Sequence, residues 1–359
     1  MANRTEWKEW TTPWDTLIDC ILLANGDPNT SEVMCRIASV FGVVMGYIFP
    51  CVGGFGIITN SIVAFIFLVL LRHETKHFIF LGALALADIA VSINMGWLWF
   101  FPSYGLPYIS SGSIYYFLLT RSSIVCRLSI FFQTFFCILR GNIYVLLAFD
   151  RLFFMHKPLV YNKIPRYYTG ILLIVVIILT VLMSLPITLF VDLISVKGLS
   201  TCWFSSQTKI LPFYQVLFSN TCLIQLTIVA LFDVFFLLKV LNWSRSRLQV
   251  TETAVKEKKT ISPIITLLVL NILSFLFAAP SGITYMILVT YENAPYEYIR
   301  MLTFFIYISW ILIFLQSSLN ILLYFIRIIK FRRVLQKLIC CNFGKISNVS
   351  KDSTVSSFK

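Results

Sequence analysis

The sequence predicts an all-α membrane protein, a seven-transmembrane helix bundle with its N-terminus outside and a short amphipathic eighth helix. Three observations carry this. Of all residues 58% are apolar and 13% charged, and the mean hydropathy is +0.84, outside the range of a soluble domain. Seven apolar stretches recur near residues 43–71, 78–101, 124–149, 169–189, 213–241, 261–289 and 302–329, each long enough to span a bilayer with some tilt. Lysine and arginine are unevenly shared: 20 follow the first, third, fifth and seventh spans and 8 lie on the other side. That bias puts the tail in the cytoplasm. The net charge of +13 is then explained by a surface facing anionic lipid and calls for no nucleic acid.

Taken in order, residues 1–42 form an extracellular arm, 43–329 the bundle, 330–341 the amphipathic helix and 342–359 a cytoplasmic tail. The arm has no apolar run suited to a cleavable signal, so the first span is expected to serve as its own insertion signal. Asn3-Arg4-Thr5 and Asn29-Thr30-Ser31 are glycosylation acceptors that fit this topology. Asn242-Trp243-Ser244 and Asn348-Val349-Ser350 fall on the cytoplasmic side and are chance matches. Six acids against three bases make the arm a solvated segment, or a lid that helps select a basic ligand. Cys20 and Cys35 both lie in it and could pair.

The spans carry polar residues that a bilayer tolerates poorly. Asn60 sits inside the first, where a single amide is explained equally by packing. Asp88 lies about ten residues into the second, and an intramembrane carboxylate is functional by default. Arg140 lies mid-membrane on the third span, where a lone arginine costs on the order of 2.5–3.5 kcal/mol and needs a partner. Asp88 is the first candidate for that partner and Asp233 the second. Along a helix, Cys126 and Arg151 are roughly 38 Å apart, so the third span carries a cysteine at one membrane face and Asp150-Arg151 at the other.

That layout resembles the third helix of rhodopsin-like (class A) G-protein-coupled receptors, with Leu152 in place of the usual aromatic. Asn60, the Leu84-Ala85-Leu86-Ala87-Asp88 string and Asn320-Ile321-Leu322-Leu323-Tyr324 are similar to further motifs of that family. The resemblance spans about residues 43 to 341 and marks a divergent member, of which an invertebrate neuropeptide-type receptor is the expected kind. It implies a Cys126–Cys202 disulfide, and an arginine, Arg151, restrained by Asp150 at rest and engaging a heterotrimeric G protein when the sixth span moves outward. It implies too that Asp88 sits where the family holds a sodium ion, so that the Arg140 guanidinium would replace the ion. Departures stand beside these matches. Isoleucine replaces the proline of the seventh-span motif, removing a break in the hydrogen-bond ladder and putting the inward swing of Tyr324 in doubt. Ala278 replaces a tryptophan two residues before Pro280, moving any aromatic toggle to Phe277, and the fifth span has no proline after Pro212.

The ligand pocket is expected at Gln133, Thr134 and Cys137 below Cys126, with no acid there to meet an amine, and at Trp203, Phe204 and Phe277. No lysine precedes Lys330 in the seventh span, which argues against a retinal Schiff base. In the outer loops Asp192, Trp203, Phe204, Glu292, Tyr296, Glu297 and Tyr298 would suit a basic, aromatic short peptide. Adjacent Cys340-Cys341 closes the amphipathic helix, where palmitoylation would anchor it to membrane lipid. No cofactor or metal is expected, and His73, His77 and His156 form no nucleophile-base set, so the chain is not read as an enzyme. Two other readings stand beside the peptide receptor: a small-molecule chemosensory receptor of the same fold, and a transporter or channel lined by Asp88, Arg140 and Asp233.

Overall fold

The computed structural model describes residues 12–27, 30–196, 199–204, 210–220, 222–247, 254–291 and 295–339. The glycosylation acceptors Asn3 and Asn29, the paired Cys340 and Cys341 and the tail lie outside them. Among the described residues, seven helices are long and apolar enough to cross a membrane.

A short helix α1 (Ile18–Ala24) is joined by the Cys20–Cys35 disulfide to the first turn of α2 (Glu32–Leu70). Ser31 caps α2, its hydroxyl accepting the Met34 N–H at 3.2 Å. The helix therefore starts ahead of the apolar stretch that predicted it, and its first turns are amphipathic, with Met34, Ala38 and Phe41 buried and Val33 and Val40 exposed. Pro50 is tolerated inside α2 because a wide π-helical turn, Val44–Ile48, precedes it and absorbs the missing donor. The second span, α3 (Lys76–Ile109), is wound wide from Ser92 to Gly105 and contains Pro102. It meets α2 closely at Gly105, where a Cβ would lie 2.5 Å from the Met45 carbonyl oxygen.

The third span, α4 (Ser123–His156), is capped by Ser122, which accepts the Val125 N–H at 3.2 Å. Its 34 residues reach about 51 Å, so it overruns the hydrocarbon layer and presents Cys126 at one end and Asp150-Arg151 at the other. The bundle thus has a disulfide end and an Arg151 end. A short α5 (Pro158–Lys163) leads to α6 (Tyr167–Phe190) and then a hairpin of β1 (Val191–Val196) and β2 (Leu199–Phe204). The strands run antiparallel with Leu193 opposite Cys202, and Cys202 is bonded to Cys126.

The fifth span is not the unbroken helix that residues 213–241 predict. It is split into α7 (Ile210–Ser219) and α8 (Leu223–Arg247), and Cys222 at the joint has φ +51. A left-handed non-glycine residue costs about 1–3 kcal/mol, so its surroundings must hold it there. The Gln225 amide does so in part, donating to the Phe218 carbonyl at 3.0 Å and satisfying an acceptor the break leaves open. No proline is needed for this break.

The bundle is completed by α9 (Ala254–Thr290), α10 (Tyr296–Arg327) and α11 (Ile329–Ile339). With isoleucine in place of proline, α10 passes straight through Asn320 and Tyr324. Tyr324 is nonetheless buried, edge-on to Phe67 at 5.3 Å and to Phe331 at 5.8 Å. Phe331 and Val334 seat α11 against the Arg151 end, and Lys330 pairs with Glu74. One packed cluster fills that end around Phe67, Leu147 and Phe331, and a second fills the other end around Phe41, Phe100 and Trp310. In lipid this packing, rather than escape from water, holds the helices together.

Candidate functional site

Three sets of polar groups are stacked along α4. In the middle, Arg140 Nε donates to Asp88 at 2.5 Å and a second guanidinium nitrogen donates to the Gln316 side chain at 2.9 Å. The Gln316 amide in turn donates to Asn320 at 2.8 Å. Asn60 donates to the Ser317 hydroxyl at 3.0 Å, tying α2 to the same stretch of α10. The Ser274 hydroxyl of α9 donates to Tyr144, whose ring lies 5.6 Å from the Arg140 guanidinium. The partner of Arg140 is thus Asp88 and not Asp233. An opposite charge at hydrogen-bond distance and a second acceptor offset the desolvation that a mid-membrane guanidinium suffers. The result is a neutral strut joining α3, α4 and α10.

At the Arg151 end the expected restraint is differently built. Arg151 is 1% exposed, and it donates not to Asp150 but to Asp233 on α8, at 2.6 Å. The other oxygen of Asp233 accepts from the Asn271 amide of α9 at 3.0 Å. One carboxylate therefore holds α4, α8 and α9 together. Asp150 is occupied elsewhere: it pairs with His77 of α3 and accepts from the Tyr161 hydroxyl of α5 at 3.3 Å. Neighbours on successive helix positions point about 100° apart, which lets Asp150 and Arg151 serve different partners. Burial, and then the Asp150 charge, push the Tyr161 hydroxyl well above the usual phenol range. Lys76 steadies the same loop, donating to the Tyr161 carbonyl at 2.6 Å and lying 4.2 Å from its ring centroid.

At the disulfide end, Asp192 on β1 accepts from Ser123 and from Arg127, the latter at 2.8 Å. Those bonds, Ser123 first, hold its carboxyl down at about 2. Asp192, placed among ligand contacts by the sequence, is instead spent on orienting the hairpin over α4. Phe204 is likewise buried, packed with Cys126 and Ile187, whereas Trp203 beside it is 40% exposed. The arm docks on α10: Arg300 donates to the Asp15 carbonyl at 2.5 Å and pairs with Asp19 at 2.8 Å.

Two of the pocket residues expected on α4, Gln133 and Cys137, line different cavities. Gln133 lines a cavity of about 230 Å³ between α3 and α4, together with Asn94 and Trp99. Cys137 borders a second cavity of about 20 Å³, room for one water, beside Arg140 and Ser274. The Cys222 thiol donates to the Cys137 carbonyl at 3.2 Å, and Gly141 lets the broken fifth span come this close, since a Cβ there would lie 3.1 Å from the Cys222 sulfur. Thr134 is fully buried and lines neither cavity, and Phe277 is partly buried and also lines neither. Sequence reasoning missed Gln316, Asn271, His77 and Asn94. Gln316 was within reach, being one helical turn before Asn320 of the seventh-span motif.

A family model described as "7 transmembrane receptor (rhodopsin family)" matches residues 59–324. No curated protein sequence gives a significant match.

Proposed function

Because the chain belongs to the rhodopsin family of seven-transmembrane receptors, a non-enzymatic family of multi-pass membrane proteins, we propose that it carries an extracellular signal, a short peptide, across the plasma membrane to a heterotrimeric G protein. The observation that carries this reading is the three-helix clamp on Arg151. Movement of α9 away from the bundle at this end takes Asn271 off Asp233, weakens the hold on Arg151, and opens a cavity in which the guanidinium meets the G protein. The resting restraint is then Asp233, while Asp150 fixes the α5 loop through His77 and Tyr161. The disulfide end faces outward in this reading, in keeping with the oxidising compartments in which such bonds form.

The peptide is favoured by what remains exposed at that end. Trp203 and Glu297 are accessible, and an acid and an aromatic ring suit a basic or aromatic side chain. The Asp88–Arg140 pair supports a receptor that is insensitive to sodium, because the guanidinium fills the place of the ion. Glycosylation at Asn3 and Asn29 and palmitoylation at Cys340 and Cys341 complete the proposal. The test is second-messenger output in cells expressing the chain with a pooled short-peptide library. A response to a peptide pool supports the reading; response to small organic molecules alone replaces the peptide, and a response that survives Arg151→Ala refutes the clamp.

A further inference from the structure

The cavity between α3 and α4 is built differently from the polar centres above. Its lining includes two carboxamides, Asn94 and Gln133, and neither has a hydrogen-bond partner among the described residues. Gln133 is 96% withdrawn from the surface, with 4% exposure. An amide that faces a mostly apolar cavity is served only by water or by a molecule bound there. The rest of the lining is apolar apart from Ser129, and no charged side chain contributes. Of its lining residues Leu98, Leu128 and Phe132 are 44%, 51% and 43% exposed, so the cavity reaches the outer surface of α3 and α4 there. Leu128 and Phe132 continue the spacing of Ile124 along one face of α4, an exposed apolar stripe that faces hydrocarbon.

We propose that this cavity is a binding site for a neutral single-chain amphiphile that enters sideways from the leaflet nearer the disulfide end. Its head group hydrogen-bonds the Gln133 and Asn94 amides, and its chain leaves between Leu128 and Phe132 into the lipid. Each carboxamide offers both a donor and an acceptor, so the complementary head also carries both, as a primary carboxamide does. A carboxylate or ammonium head is excluded, since the cavity has no counter-charge to offset its desolvation. About 230 Å³ accommodates the head and the first part of a chain, not a whole lipid. This site is separate from the loop surface that meets the peptide, and it stands whether or not the peptide reading holds.

The test uses the full chain in phosphatidylcholine nanodiscs and an eighteen-carbon primary amide bearing a diazirine near its head and a terminal alkyne. After photolysis, labelled residues are mapped by mass spectrometry. Labelling concentrated in 91–101 and 123–136, competed by excess unlabelled fatty amide but not by the fatty acid at pH 8, is the expected result. Gln133→Leu should lower that labelling at least tenfold and Ser129→Phe, which fills the cavity, should abolish it. Asn94→Leu should lower it severalfold and serves where Gln133→Leu does not fold, folding being judged by thermal melting of each variant. Labelling spread evenly over the lipid-facing residues of all helices, or undiminished in the folded Ser129→Phe and Asn94→Leu variants, overturns the proposal.

Discussion

Replacing Asp88 by asparagine keeps the shape of the side chain and removes the carboxylate that faces Arg140 at 2.5 Å. The guanidinium then keeps Gln316 as an acceptor but has no counter-charge on it. Breaking a buried pair from one side costs about 3–5 kcal/mol, which is roughly two to four orders of magnitude in the folded-to-unfolded ratio. Arg140→Gln is milder, about 1–3 kcal/mol, because a carboxylate deprived of its cation can take up a proton whereas a guanidinium stays charged. The double variant Asp88→Asn with Arg140→Gln restores neutrality, so it should be more stable than Asp88→Asn alone. Equilibrium unfolding of the four proteins in detergent gives the interaction energy. An ordinary interhelical hydrogen bond in a membrane is worth about 0.6 kcal/mol, so a coupling above about 2 kcal/mol identifies a charge pair. Asp88→Asn within about 0.5 kcal/mol of the parent, or a double variant no better than the sum of the singles, would refute the strut.

Releasing the clamp from the other side should raise ligand-free signalling: Asp233→Asn and Asn271→Ala are each expected to increase basal nucleotide exchange on purified G protein severalfold, and unchanged exchange would count against the clamp. The Cys126–Cys202 bond closes a separation of 76 residues, so its removal should cost up to about 4–5 kcal/mol by loop-closure entropy, against up to about 3 for the 15-residue Cys20–Cys35 loop. Unfolding of the two double-alanine variants ranks them, and the opposite order would show that the arm matters more than the hairpin. Docking of the arm should depend on pH, because burial raises Asp15 from its ordinary 3.8 to about 6. Between about pH 4 and 6 the docked arm thus holds a proton that the undocked arm releases, and docking tightens as pH falls through 6 and levels off near 4. Asp192 has the reverse sign: what it lends the hairpin is full above about 4 and fades only as pH falls toward its value of about 2. Rate-corrected hydrogen exchange between pH 7 and 4.5 should therefore slow across 12–27 and hold steady across 191–196 and 199–204; equal behaviour in the two segments would contradict the assignment.

The bundle was legible because hydropathy, span length and positive charge bias each constrain it independently, and the length of α4 from Cys126 to Arg151 fixed the two ends. Arg140 called for a partner by its depth, since a bilayer makes any unpaired charge conspicuous; the sequence left Asp88 and Asp233 as candidates, and the structure has Asp88. What stayed hidden depended on direction around a helix. Asp150 and Arg151 are adjacent in sequence, yet their side chains leave α4 toward different neighbours, His77 on one side and Asp233 on the other. Likewise Gln133, Thr134 and Cys137 lie within about one turn of each other but meet different surroundings. The split of the fifth span was invisible because its cause is a left-handed Cys222 held by Gln225 and packed on Gly141, a tertiary arrangement with no proline or glycine to mark it at the joint.

Signalling through Arg151 is the claim on which the functional account rests. The most direct measurement is second-messenger output from cells expressing this chain, with and without a pooled short-peptide library, beside Arg151→Ala brought to the same surface level. A peptide-dependent response that disappears in Arg151→Ala is the predicted result. An equal response from both proteins would contradict it.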